Sequence, residues 1–141
     1  MAKKKAKGSA GLNKKSGEAL LEKYQNKPDS QITDSGLIYR VIETSENKNI
    51  SPSMLDTVVI HQRIMLADGS VIADSYKAGL PEEFAMREAI EGLQQGLSLM
   101  KIGERFEFII PPALAWGKKG NSGKIGPNAV LHFDVRLIRV I

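Results

Sequence analysis

Apolar residues in this chain recur with several different periods, and the changes of period mark its elements. Residues 36–42 alternate, with Leu37, Tyr39 and Val41 on one side, as in a strand that buries one face. Residues 57–66 form a longer run rich in β-branched side chains, and Asp68-Gly69 then predicts a two-residue turn into a strand at Ser70-Val71-Ile72. Between Phe84 and Met100 the spacing changes to three and four. Met86, Ala89, Ile90, Leu93, Leu97 and Met100 draw the stripe of an amphipathic helix. Gly92 and Gly96 weaken that helix by ~1 kcal/mol each relative to alanine, so close packing against a sheet is expected at both. Strand-like runs return at residues 107–110 and 130–135.

Outside these runs, residues 17–25 place Ala19, Leu20 and Tyr24 on one helical face, with Ser16 as the N-cap and Lys27-Pro28-Asp29 as the stop. Residues 45–53 are polar and read as a loop. The pattern predicts an α+β domain: an antiparallel twisted β-sheet wrapped around one main α-helix, preceded by a short N-terminal helix. The chain divides into a lysine-rich flexible tail (1–16), a short helix and linker (17–34) and the globular domain (35–141).

Between the last two strand runs lies a Gly/Pro loop, residues 111–129, holding the sole tryptophan, Trp116. Structureless connections of this length in a small domain are usually binding loops or covers of active sites. An aromatic near the root of such a loop suits a shallow pocket for a hydrophobic or proline-bearing ligand.

At 141 residues the chain can bury one sizeable core. No run approaches the ~18 to 20 apolar residues of a membrane span, and no apolar segment follows the N-terminal lysines, so no membrane association and a cytoplasmic address are expected. Cysteine is absent, which excludes disulfides and thiolate chemistry. The net charge of +4 is concentrated in residues 1–17, where Lys3, Lys4, Lys5, Lys7, Lys14 and Lys15 face no acidic residue. Removing these six leaves 14 basic against 16 acidic residues, a net of −2. Without interleaved aromatics such an end reads as a solubilising tail in preference to a tether for nucleic acid or the ribosome.

Side chains for conventional catalysis are few. His61 and His132 are the two histidines, and no triad, phosphate loop or metal cluster can be assembled. His61, among apolar strand neighbours, reads as a hydrogen-bonded structural residue. Taken alone, Phe84, Ile90 and Phe133 read as core.

A longer series of residues resembles one family. Asp68-Gly69-Ser70-Val71, Phe84, Ile90, Gly92-Leu93, Gly96-Leu97, Met100, Gly103, Ile110-Pro111, Leu114-Ala115-Trp116-Gly117, Ile125, Pro127-Asn128, Leu131 and Phe133 follow the order and spacing of the FKBP family, peptidyl-prolyl cis-trans isomerases that bind macrolides. The resemblance covers residues 35–141. The Gly17-Glu18-Ala19-Leu20-Leu21 helix and Ser35-Gly36-Leu37-Ile38-Tyr39 resemble the bacterial branch related to the macrophage infectivity potentiators.

The resemblance implies a cofactor-free isomerase that assists protein folding, acting on proline-containing polypeptides, with a macrolide as a possible inhibitor. It implies catalytic-site positions at Trp116, Phe84, Phe133, Ile72, Ala73 and Gln62, and substrate-binding positions at Ala89, Ile90, Leu93, Ile125 and Asp74. Several positions depart from the family. Trp116 and Gln62 stand where tyrosines are usual, Leu93 where tryptophan forms the floor, Ile72 where phenylalanine is usual, and Ala73 in place of an aspartate, with Asp74 beside it. These departures imply a looser pocket and reduced activity. Two functions stay open: an isomerase, or a catalytically weak module of the same fold that binds proline-containing or hydrophobic segments as chaperone or adaptor.

Overall fold

The protein's structure, a computed structural model, describes residues 10–46, 49–117, 120 and 125–141. Its elements are α1 (Ala10–Gln25), β1 (Gln31–Ile32), β2 (Ile38–Glu43), β3 (Thr57–Leu66), β4 (Val71–Asp74), α2 (Ser75–Ala78), β5 (Glu82–Ala85), α3 (Glu91–Leu99), β6 (Arg105–Ile110) and β7 (Leu131–Val140). The strands make one antiparallel sheet in the order β1-β2-β6-β7-β3-β4, and β5 pairs with the first part of β3.

Period-two alternation sorts the sheet into two faces. Phe106, Phe108 and Ile110 on β6 and Leu131, Phe133, Val135 and Leu137 on β7 are buried on the concave face, where α3 supplies Leu93 and Leu97. Both helical glycines are explained by close approach. A Cβ at Gly92 would lie 2.5 Å from Ile110 Cγ2, and one at Gly96 would lie 2.6 Å from two ring carbons of Phe108.

On the convex face the alternate residues include Arg105 and Glu107 of β6 and His132, Asp134 and Arg136 of β7, and α1 packs over one part of them. Tyr24 joins Ile38, Ile109 and Val130 in a second buried cluster, flanked by Leu20 and Leu21. Glu107 accepts from the Tyr24 hydroxyl and from Arg40 Nη1, and is paired with His132. Farther along the face Arg105 grips Asp134 with two hydrogen bonds of 2.8 and 2.7 Å.

Three boundaries differ from the sequence reading. First, α1 begins at Ala10, so Ser16 lies within the helix and is not its N-cap, and Lys14 and Lys15 are helical instead of part of a tail. Lys3, Lys4, Lys5 and Lys7 lie outside the described residues. Second, the stripe from Phe84 to Met100 is not one helix. Phe84 belongs to β5, opposite Val58. A 3₁₀ turn follows at Met86–Glu88, Ala89 and Ile90 are extended, and α3 starts at Glu91. Pairing with β3 recruits Phe84 into the sheet at the expense of the helical spacing. Third, the hairpin after β3 closes through Ala67, Asp68 and Gly69. Gly69 takes φ 92°, and Leu66 N donates to Ser70 O, which makes a three-residue loop with a left-handed glycine.

Candidate functional site

The site is built on the concave side of β3. Val58, Ile60 and Leu66 are core residues, so Gln62 and Ile64, at the intervening even positions, face the same way. Across the ladder, Ala73 pairs with Ile64 and Val71 with Met65, which leaves Ile72 as the extra residue of a β-bulge. The bulge turns Ile72 against the main core, and Ala73 shares the concave side with Ile64.

Asp74 faces the other way. It pairs with Arg63, its Oδ2 is 3.9 Å from Arg63 Nε, and its Oδ1 accepts from Lys77 N at 3.1 Å, capping α2. The expectation that Asp74 contacts substrate is therefore corrected: despite the bulge, its carboxylate serves the convex face and the helix cap.

The apolar positions converge on one core. Leu93, Ile125 and Phe133 are buried in it, and Ile72, Phe84, Ala89, Ile90 and Trp116 lie half-buried against it. Phe133 stands between Phe108 and Ile64 in the sheet. Three of these side chains are buried and five are partly exposed against the same cluster, so the core presents an apolar border there. The limbs of the loop after β6 are tied by Asn128 N donating to Gly117 O at 2.8 Å, directly behind Trp116.

One wall is polar. Gln62 is only 7% exposed, and its Nε2 donates to Glu82 Oε1 at 2.8 Å. A carboxylate only accepts, so the amide nitrogen must point at Glu82. This leaves Gln62 Oε1 buried without a partner among the described residues. Glu82 was not anticipated from the sequence. It precedes Phe84 by two strand positions and so shares its face, a signal masked by reading Phe84 as helical.

A sequence model described as FKBP-type peptidyl-prolyl cis-trans isomerase matches residues 48–138, which contain every residue of this concave site. The chain belongs to the FKBP family. A second model, the domain amino-terminal to FKBP-type isomerases, matches residues 1–41. The peptidyl-prolyl cis-trans isomerase Mip of Coxiella burnetii is 38% identical over 128 residues, covering 91% of this chain and 55% of that protein. The outer membrane protein MIP of Legionella longbeachae is 36% identical over 141 residues, covering 96% of this chain and 60% of that one. The crystal structure of FkpA from Escherichia coli superposes with a TM-score of 0.86 at 36% identity, covering 93% of this chain and 60% of that chain. The chain thus spans little more than half the length of the curated relatives it matches.

Within this FKBP domain both histidines are engaged with polar partners. His61 Nδ1 is 2.9 Å from Ser75 Oγ and its ring stacks on Tyr76 at 5.1 Å, in keeping with a structural role. His132 meets Glu107 under α1. Burial works against the charge on Glu107, but His132, Tyr24 and Arg40 outweigh it and hold the carboxyl at about 2. Tyr24 is pushed up to about 12 by burial and by the Glu107 charge. Among the described residues no group of three His, Asp or Glu is placed to hold a metal ion, and no helix is long and apolar enough to cross a membrane.

Proposed function

We propose that this protein is a peptidyl-prolyl cis-trans isomerase that assists the folding of proline-containing polypeptides. The observation that carries the proposal is the packing of the half-buried Ile72, Phe84, Ala89, Ile90 and Trp116 against the cluster that holds Leu93, Ile125 and Phe133. Rotation about an X-Pro bond breaks amide conjugation, and the general barrier for a peptide bond is ~18–20 kcal/mol. The twisted amide has lost charge separation, so an apolar, water-poor site favours it over the planar ground state. Such a reaction needs no nucleophile, metal or cofactor. In this reading the prolyl ring rests on Phe133 and Leu93, Trp116 and Ile125 close the loop side, and Phe84, Ile90 and Ile72 complete the wall. The same surface would accept an apolar macrolide as inhibitor.

Turnover is proposed to be slow. Leu93 offers less flat surface than an indole floor, Ala73 brings no carboxylate, and the Gln62–Glu82 pair makes one wall polar. That wall also favours a second reading, in which the site retains proline-containing or hydrophobic segments without efficient isomerisation. As for compartment, the cysteine-free sequence has no disulfide to form, and one relative is named an outer membrane protein, so this function does not require a cytoplasmic address.

The test is refolding of a protein whose slow phase is limited by proline isomerisation. Acceleration proportional to the amount of this chain supports the isomerase. An unchanged slow phase at micromolar protein, with binding to the unfolded substrate, supports the second reading and overturns the first.

A further inference from the structure

We propose that α1 is a strut for the rim of the candidate site, with Asn13 and Gly17 as positioning residues for isomerisation, an inference that rests on the function proposed above. Asn13 Nδ2 donates to the carbonyl of Pro127 at 2.8 Å across 114 positions of sequence. One turn on, Gly17 approaches the far limb of the same loop so closely that a Cβ would lie 2.4 Å from Val130 Cγ2. The next link is Asn128, whose N–H donates to Gly117 O, and Gly117 follows Trp116. Helix, loop limb and tryptophan are therefore joined by two hydrogen bonds and one close packing contact.

Two further observations make this more than contact between neighbours. Asn128 holds φ 59°, a left-handed turn conformation that asparagine tolerates, and it fixes the direction in which its N–H meets Gly117 O. In addition, a groove of about 370 Å³ separates Lys14, Glu18 and Leu21 on α1 from Pro112, Asn128 and Val130. Among the described residues this groove lies between helix and loop, and beside the packing of Val130 in the Tyr24 cluster the Asn13 bond and the Gly17 contact link the two across it. The other half of α1 is fixed to the sheet through Tyr24, which gives the strut a firm base.

The experiment uses the full chain and its sole tryptophan as reporter. Asn13→Asp keeps the shape and removes the donor, and Asn13→Ala removes both. Each is expected to raise acrylamide quenching of Trp116 about twofold. Each is also expected to raise KM for an X-Pro peptide about threefold to tenfold, the size expected for one lost hydrogen bond, with kcat changed less than twofold. Asn13→Gln, which keeps an amide donor, should return both values toward the parent. Lys15→Ala, exposed on the same helix, should change neither. Parent-like Trp116 quenching in folded Asn13→Asp and Asn13→Ala overturns the strut, as does an equal change in Lys15→Ala. Absence of isomerisation in the parent would overturn the function proposed above, and Trp116 quenching would still decide the strut.

Discussion

Asp74 lies opposite Arg63 across the β3–β4 ladder, with its carboxylate on the convex face. Ala73, one position earlier, lies opposite Ile64 on the concave face, so the two neighbours answer to different demands. Asp74→Ala is expected to cost about 1 kcal/mol through the lost cap on Lys77 N. It should leave isomerase kcat/KM within about twofold. Ala73→Asp places a carboxylate on the half-buried side beside Ile64 and should cost about 1–3 kcal/mol in urea denaturation. A large loss of activity in Asp74→Ala with the fold intact would show that this carboxylate reaches the site.

Gly96→Ala tests the contact between α3 and the sheet. Alanine gains ~1 kcal/mol of intrinsic helix preference over glycine. Its Cβ would nevertheless meet Phe108 Cε1 and Cζ at 2.6 Å, and Phe108 is fully buried. Overpacking of this kind costs about 1–3 kcal/mol, so a net loss of stability is expected in denaturant titration. A stabilised variant would mean that Phe108 moves aside freely.

Leu93→Trp tests the floor. Leu93 is 4% exposed and sits in the cluster that contains Ile125 and Phe133. An indole there would offer the prolyl ring a flat surface, and kcat/KM is expected to rise about threefold or more. An unchanged value in a folded variant would move the deficit to Gln62 and Ala73.

Stability should fall in acid through Glu107. Its folded pKa is about 2, against an ordinary 4.5, so its contribution is present above about pH 5 and is lost as pH falls toward 2. The contribution is at most about 3 kcal/mol. Glu107→Gln is expected to be less stable than the parent by about 2 kcal/mol at pH 7, with the difference shrinking between pH 5 and pH 3. Parallel curves for the two proteins over that range would remove Glu107 from the acid response.

Much of the sheet is legible in the chain because its faces obey period two: β3 runs from Thr57 to Leu66 as the β-branched run predicts. Gly92 and Gly96 also announced close packing, and Ile110 and Phe108 are what they pack against. Local pattern failed where a distant partner decides. The first turns of α1 have lysines and no apolar stripe, and Asn13 meets Pro127 far along the chain. Phe84 fits a helical stripe in sequence but joins β5 through its pairing with β3. The inward turn of Ile72 depends on a bulge that no residue near it signals, and the polar wall requires knowing that Glu82 sits within reach of Gln62.

The most direct measurement of the central claim is two-dimensional exchange NMR on a short X-Pro peptide, with the Trp116 indole resonance followed in the same samples. Uncatalysed exchange takes ~10–100 s at 25 °C. The expected result is cis–trans exchange at least about tenfold faster at micromolar protein, with a saturable shift of the Trp116 resonance as peptide is added. Exchange at the buffer rate with Trp116 unmoved would contradict the assignment of this apolar site to prolyl isomerisation.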